Sequence, residues 1–277
     1  MLLKRILSGV IFAPLIALLA LHPISFFILV CVIAVLLVIE FYRLAELIGA
    51  RSSKSVGIIF CLLFCLAAFI SKRKAFLSFS LNWTAPELFI YLTILVSFAH
   101  QIIKRDANSA FLTISISSLG IIYIGWAFSR HLILVREMEN GVGLIFLFIA
   151  IIWCGDTGAY AIGRLLGRHK LIPAISPGKT IEGAIGGLFF GALGGIAIKY
   201  AFLAKVIALH HVIVLGLLLG IIGQISDLGE SLLKRNANVK DSGNLIPGHG
   251  GLLDRCDSMI LTAPVFYYYL KYLLHVA

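Results

Sequence analysis

Apolar runs of about twenty residues recur along the whole chain, and they constrain its fold more than any other feature. Hydrophobic residues make up 60% of the sequence, and its mean hydropathy is +1.03. A helical run of this length matches the hydrocarbon thickness of a bilayer, where every backbone polar group must be satisfied internally. The runs lack the apolar–polar alternation of a membrane β-barrel. The sequence therefore predicts an all-α, polytopic integral membrane protein.

About nine membrane-spanning helices are predicted from these runs. They cover residues 6–22, 24–49, 55–71, 85–103, 109–133, 141–163, 181–203, 208–228 and 258–275. Residues 1–140 form an N-terminal transmembrane region of about five helices. Residues 141–277 form a C-terminal transmembrane region with polar loops at 164–180 and 229–257.

The distribution of basic residues predicts which side of the membrane each loop faces. With the N-terminus inside, the larger share of the 23 Lys and Arg residues lies in inside segments, although Lys72-Arg73-Lys74 is an exception. Both polar loops of the C-terminal region then face the cytoplasm. The first run follows Lys4 and Arg5 and lacks a small-x-small cleavage site, which indicates an uncleaved anchor in the cell membrane.

The net charge of +10 favours anionic head groups and anionic substrates as partners. Nucleic acid is excluded as a partner because the bases are divided among short loops. The five cysteines lie mostly inside apolar runs, which indicates buried thiols and neither a disulfide framework nor a zinc site.

The first half of the chain shows little internal chemistry. Glu40, Arg43 and Glu46 have helical spacing near the inner end of the second run, which predicts a salt-bridged turn at the interface. Trp83 and Trp126 are interpreted as interface anchors. The residues that indicate a function therefore lie in the second half of the chain.

Asp156 is an acidic residue inside an apolar run, within WCGDTGAYAIGR (153–164). An acid at that depth usually faces a partner or a wet cavity. The alternative is a helix-packing pair with Arg164. The surrounding glycines, and those of the next run, predict close helix packing under either interpretation.

The stretch SPGKTIEGAIGG (176–187) resembles the end of a phosphate-binding P-loop at Gly178-Lys179-Thr180. That motif needs a glycine at 173, where this chain has Pro173, so a nucleotide-binding P-loop is rejected. Ser176 and Lys179 still precede a helix N-terminus, which suits phosphate. The alternative to phosphate binding is a structural role, in which this segment caps the helix and the lysine only sets the membrane topology.

The stretch from Ser231 to Asp257 concentrates charge between two apolar runs. Asp227 and Glu230 are three residues apart, as are Asp254 and Asp257. Carboxylates from two helix ends can meet on a hard cation such as Mg²⁺, which is usually bound by one or two carboxylates plus substrate phosphates. The bases that could bind a triphosphate are Lys234, Arg235, Lys240 and Arg255. A solvated basic loop would explain these bases but not the interleaved acids.

This charged stretch resembles the signature of the phosphatidate cytidylyltransferases, also called CDP-diacylglycerol synthases. The resemblance rests on Ser231, Lys234-Arg235, Lys240-Asp241, Gly243, Pro247, His249-Gly250-Gly251, Asp254-Arg255 and Asp257. DTGAY (156–160) and SPGKTIEG (176–183) resemble the family's other recurrent stretches, so the resemblance covers residues 150 to the end. Gly178 departs from the family, which commonly has a second basic residue there, and Cys256 stands where a larger apolar residue or Thr is general.

The resemblance implies a nucleotidyltransferase of phospholipid biosynthesis that makes CDP-diacylglycerol and pyrophosphate from CTP and phosphatidic acid. It implies a two-metal centre of Mg²⁺ with a monovalent cation such as K⁺, held by Asp227 and Asp254 with Asp257 as third carboxylate, and a homodimer. The phosphate-binding residues that it implies are Ser176, Lys179, Lys234, Arg235, Lys240 and Arg255. His249 is expected to contact phosphate or the loop and not to act as a base.

Two rival functions share some of these features. A cation-coupled secondary transporter would account for Asp156 and the glycine-rich helices, but it would place its charges near the midplane between related halves. Here most acids cluster near one membrane face beside bases, and no internal repeat is present. A CTP-dependent lipid kinase or another lipid nucleotidyltransferase would share the electrostatics, and only the match over 231–257 separates it.

Overall fold

The computed structural model describes residues 18–71, 86–243 and 250–276, and within these ranges the chain is almost entirely helical. The elements are α1 (Pro23–Leu47), α2 (Lys54–Ser71), α3 (Pro86–Lys104), α4 (Ala110–Gly120), a π-helix (Ile121–Arg130), α5 (His131–Arg136), α6 (Gly141–Leu166), β1 (Lys170–Ile172), β2 (Ser176–Thr180), α7 (Ile181–Phe202), α8 (Leu209–Asn236), α9 (Leu253–Ile260) and α10 (Thr262–Tyr272). The predicted all-α class is confirmed.

Seven helical segments in the described residues are long and apolar enough to cross a membrane. One of them is the continuous segment Ala110–Arg136, formed by α4, the π-helix and α5. The predicted first span, 6–22, lies mostly outside the described residues. The predicted last span, 258–275, is divided into α9 and α10. The protein is therefore a multi-pass membrane protein, and the predicted count of nine is approximate.

One compact unit, unit 1, consists of residues 1–137 and 236–255. Tyr42 of α1 is fully buried and donates a hydrogen bond of 2.7 Å to the Ser117 carbonyl. Its ring lies against Gly57 and Gly120, where an added Cβ would come within 2.4 Å and 2.5 Å of ring atoms. Small residues on α2 and α4 thus let both helices pack on α1.

The other compact unit, unit 2, consists of residues 138–235 and 256–277. Its helices α6 and α7 approach closely at glycines. An added Cβ would lie 2.8 Å from the Ala159 carbonyl oxygen at Gly183 and 2.9 Å from the Ile151 carbonyl oxygen at Gly191. The predicted tight packing of these glycine-rich helices is confirmed.

The polar loop predicted at 164–180 is partly ordered as an antiparallel hairpin. Strands β1 and β2 pair Lys170 with Thr180 and Ile172 with Ser176. Thr180 also caps α7, because its Oγ1 accepts a 3.1 Å hydrogen bond from the Gly183 amide. The predicted loop at 229–257 is shorter than expected, since α8 extends to Asn236 and α9 begins at Leu253.

Candidate active site

The loop that precedes α9 turns back on the Asp254 carboxylate. Oδ2 of Asp254 accepts hydrogen bonds from the Ser242 amide at 2.9 Å, the Ser242 hydroxyl at 3.0 Å and the Gly251 amide at 2.8 Å. One carboxylate oxygen thus binds the two sides of the loop together. Hydrogen bonds of this kind to an ionised acceptor are about twice as strong as those between neutral groups.

Glu40 of α1 also binds this loop. Its role was not predicted from the sequence. Its Oε1 accepts from the Leu252 amide at 2.9 Å, and its Oε2 accepts from the Leu253 amide at 2.8 Å and the Ser242 hydroxyl at 3.1 Å. Glu40 is only 7% exposed. A buried acid on a largely apolar helix therefore makes hydrogen bonds to a loop more than two hundred positions away in the sequence.

The predicted salt-bridged turn around Glu40 is wrong for this residue. Glu46 makes the ion pair, with its Oε1 2.9 Å from Lys54 Nζ, while Glu40 faces the loop. The sequence did contain a signal for this role. Glu40 lies inside an apolar run, where a charged side chain without hydrogen-bond partners is energetically costly. Its helical spacing to Arg43 suggested a local partner instead.

Glycine at 250 and 251 allows the loop to close on these two carboxylates. Gly250 has φ +82°, a left-handed conformation that a side chain disfavours, and a Cβ there would lie 2.8 Å from Asp254 Oδ2. At Gly251 a Cβ would lie 2.5 Å from Glu40 Oε2 and would overlap the Ser242 hydroxyl. Lys240 and Arg255 are exposed in this unit, and His249 lies outside the described residues.

In unit 2, the structure brings Lys179 of the hairpin to Asp227 of α8. Lys179 Nζ lies 2.7 Å from Asp227 Oδ2, and the two side chains are 25% and 31% exposed. Ser231, one helical turn later, donates a longer hydrogen bond of 3.5 Å to Asp227 Oδ1. Sequence reasoning selected both charged residues for one site but did not predict that they pair directly.

A second contact fixes the hairpin against α8. Arg235 Nε donates a 3.3 Å hydrogen bond to the Ile175 carbonyl, just before Ser176 begins β2. Ser176 is half-buried, whereas Arg235 is exposed. The two phosphate-binding segments expected from sequence, 176–179 and the end of α8, thus lie side by side.

Two further acids of unit 2 are buried or half-buried near the end of α8. The Glu230 side chain is fully buried, and its Oε2 lies 2.5 Å from Lys234 Nζ. Asp257 is half-buried, and its Oδ1 accepts from the Ser258 amide at 2.7 Å. Burial, reinforced by the negative charges of Asp227 and Glu230, raises the pKa of the Asp257 carboxyl well above its usual range. A positive charge bound near Asp257 would lower the pKa of this carboxyl again.

Asp156 lines a recess in unit 2 instead of pairing with Arg164. Its Oδ2 accepts a 3.1 Å hydrogen bond from the Ser258 hydroxyl, and Arg164 donates to the Tyr160 hydroxyl. Apart from Asp156, Ser258 and Gln224, the lining of the recess is apolar or glycine. The expectation that an intramembrane acid faces a partner or a cavity is confirmed.

The described residues offer carboxylates suited to a hard cation but no preformed cage for one. No three His, Cys, Asp or Glu side chains among residues 18–71, 86–243 and 250–276 converge on a point where a metal ion could sit. Mg²⁺ keeps several waters and is commonly bound by one or two carboxylates plus substrate phosphates, so it does not need such a cage. Asp254 in unit 1, and Asp227 and Asp257 in unit 2, each carry oxygen donors of the kind that this mode of binding uses.

Comparison with known proteins gives a consistent result along the whole chain. A family model described as the cytidylyltransferase family matches residues 3–273. The chain is 33% identical to the phosphatidate cytidylyltransferase of Bacillus subtilis (strain 168) over 96% of its own length and 97% of that protein. It is 46% identical to the phosphatidate cytidylyltransferase of Synechocystis sp. over 51% of this chain and 47% of that protein.

Proposed function

We propose that this chain, which belongs to the cytidylyltransferase family, transfers CMP from CTP to phosphatidic acid and makes CDP-diacylglycerol and pyrophosphate. The observation that carries the proposal is the similarity to a bacterial phosphatidate cytidylyltransferase over nearly the full length of both proteins. The match covers both units, so it includes the Asp254 loop as well as the Lys179–Asp227 pair.

The reaction needs charge neutralisation more than proton transfer. A phosphate oxygen of the lipid attacks the α-phosphorus of CTP, a P–O bond forms, and the bond to the bridging oxygen breaks as pyrophosphate leaves. The attacking phosphate is already anionic at neutral pH, so no general base is required. The barrier is repulsion between two polyanions, which preorganised positive groups lower. Lys179, Lys234, Arg235, Lys240 and Arg255 supply those groups in this proposal.

Divalent cation binding is part of the proposal, with Asp227 and Asp254 as ligands and Asp257 as a third carboxylate. When bound, Mg²⁺ would neutralise the phosphates and withdraw charge from the reacting centre, and K⁺ is proposed as a second ion. The support is chemical, since carboxylate oxygens are the ligands that Mg²⁺ prefers. Lys179, whose Nζ lies 2.7 Å from Asp227 Oδ2, is proposed to contact a phosphate of the substrate.

We further propose that the protein resides in the cytoplasmic membrane with this site facing the cytoplasm. An inside N-terminus puts the C-terminal end of α1 on the cytoplasmic side. Glu40, in the second half of α1, binds the amides of Leu252 and Leu253, so the loop before α9 belongs on the same side. A homodimer is proposed from family resemblance alone.

Orientation can be tested by labelling single cysteines in a background that lacks the five native ones. Cysteines at Lys170 and Asn244 should resist an impermeant thiol reagent added to intact cells, and one at Ala277 should react. Labelling of Lys170→Cys and Asn244→Cys from opposite sides would contradict a single cytoplasmic site.

Radiolabelled CTP tests the activity itself. Purified protein in detergent, given phosphatidic acid and Mg²⁺, should form lipid-linked CMP and release pyrophosphate in equal amounts. A transporter would incorporate no label, and a lipid kinase would transfer the γ-phosphate and leave CDP. Absence of incorporation across several detergents and lipid chain lengths would overturn the proposal.

A further inference from the structure

We infer that Glu40 is a positioning residue for the reaction, which acts by holding the loop that orients Asp254. This inference rests on the proposed function, because it assigns the work of Glu40 to the same site. Glu40 lies in the N-terminal half of the chain, outside the motif stretches 156–160, 176–183 and 231–257. Its side chain does not touch the reacting atoms in this assignment, so it is not a catalytic residue.

Both oxygens of Glu40 serve as hydrogen-bond acceptors for the loop. Oε1 accepts a hydrogen bond from the Leu252 amide, and Oε2 accepts from the Leu253 amide and the Ser242 hydroxyl. The side chain is buried, so loss of these bonds would leave backbone amides unsatisfied away from water. Each such orphaned group costs about 1–3 kcal/mol. The loop conformation is therefore coupled to the Glu40 carboxylate.

Asp254 is connected to Glu40 through shared partners. The Ser242 hydroxyl lies within hydrogen-bond distance of both Glu40 Oε2 and Asp254 Oδ2, at 3.1 Å and 3.0 Å. Gly251, whose amide donates to Asp254, is followed directly by the two residues whose amides donate to Glu40. A shift of residues 251–253 would therefore move the groups that orient the Asp254 carboxylate.

Substitutions that change the hydrogen-bond acceptors of residue 40 can distinguish loop positioning from simple packing. A glutamine at 40 matches glutamate in size but presents an NH₂ group where one of the two oxygens stood. That group would face a backbone N–H, and two donors cannot bond each other. An aspartate at 40 is shorter but keeps two acceptor oxygens. Packing thus favours Glu40→Gln over Glu40→Asp, whereas loop positioning favours the reverse order.

The experiment compares Glu40→Gln, Glu40→Asp and Glu46→Gln in detergent-solubilised full-length protein. Glu46→Gln is the matched control, because Glu46 lies on the same helix and forms an exposed pair with Lys54. Turnover of CTP at saturating substrate should fall about 10²-fold in Glu40→Gln, as for a misplaced catalytic group. It should fall less in Glu40→Asp and stay unchanged in Glu46→Gln, and KM for CTP should change less than kcat.

Amide hydrogen exchange supplies a readout that needs no activity. Peptides covering residues 251–256 should exchange faster in Glu40→Gln, while peptides of α7 in unit 2 should exchange as in wild type. Faster exchange at both places would indicate general unfolding. In that case Glu40→Asp, which keeps two acceptor oxygens, decides: local exchange and kcat closer to wild type than in Glu40→Gln support the inference, and no recovery of either overturns it.

The two proposals fail in different ways. If wild type turns over CTP but Glu40→Gln matches it in kcat and exchange, the positioning role is wrong and the proposed function stands. A Glu40→Gln variant that keeps more activity than Glu40→Asp also overturns the positioning role, in favour of packing. If wild type shows no turnover, the proposed function fails, and the positioning role of Glu40 in that reaction fails with it.

Discussion

Asp254 and Asp227, the two carboxylates proposed to bind cations, are held in place by opposite means. Asp254 is held by a loop, through two backbone amides and a hydroxyl that all donate to one of its oxygens. Asp227 lies on the long helix α8, and its 2.7 Å partner is the Lys179 ammonium. The orientation of Asp254 therefore depends on neutral donors in a loop, whereas Asp227 has a rigid backbone and a charged partner on a flexible stem.

This difference teaches which substitutions disturb geometry and which disturb only charge. A lysine can exchange a carboxylate for a substrate phosphate by rotating its side chain. Backbone amides cannot make that exchange without moving the loop. We therefore expect the Asp254 side to be sensitive to the shape of its loop as well as to charge, and the Asp227 side to be sensitive to charge alone.

Asp254→Asn should give the largest loss, about 10³-fold in kcat, by removing a preorganised charge. All three loop donors use Oδ2, so an asparagine carbonyl oxygen can accept the same bonds. Hydrogen exchange of residues 251–253 should therefore match wild type while turnover is lost. If the variant kept more than a tenth of wild-type activity, Asp254 would be withdrawn from the cation site.

Asp227→Asn should lower kcat by about 10²-fold, less than Asp254→Asn, because Lys179 stays cationic and can still bind phosphate. The Mg²⁺ concentration for half-maximal activity should also rise. A steady-state Mg²⁺ titration measures both effects. An unchanged Mg²⁺ dependence would argue that Asp227 acts only as the partner of Lys179.

Lys179→Gln should reduce kcat/KM for CTP by about 30-fold, which corresponds to about 2 kcal/mol for a hydrogen bond to a charged group. Lys170→Gln is a matched control, because Lys170 is an exposed lysine of the same hairpin. Competition by pyrophosphate should weaken in parallel if Lys179 contacts that part of CTP. Equal losses in both variants would indicate a general charge effect of the hairpin.

Gly251→Ala should give the smallest loss of activity, about tenfold in kcat, with a destabilisation of about 1–3 kcal/mol from overpacking. Its Cβ would come within 2.5 Å of Glu40 Oε2, so the loop must move. Gly178→Ala is the control, since no atom lies within 4 Å of a Cβ there. Thermal unfolding and turnover of the two variants would show whether the shape of the Asp254 loop matters.

The sequence by itself determined the fold class and nominated the residues proposed for the site. Apolar runs of bilayer length leave helices as the only way to satisfy the backbone, so the spans followed from hydropathy. The spacing of charges around Asp227 and Asp254 placed both carboxylates among the site candidates. Glycine spacing in 155–195 correctly predicted the close approach of α6 and α7.

Only the tertiary structure decided which residues are partners. Glu40 and Arg43 have the spacing of a local ion pair, yet the Glu40 carboxylate binds amides of Leu252 and Leu253. The hairpin at 170–180 and the ion pair between Lys179 and Asp227 likewise could not be predicted from the sequence. The physical reason is that hydropathy and periodicity report the environment of a residue, which is local, whereas a buried carboxylate is satisfied by whichever donors the folded chain brings to it.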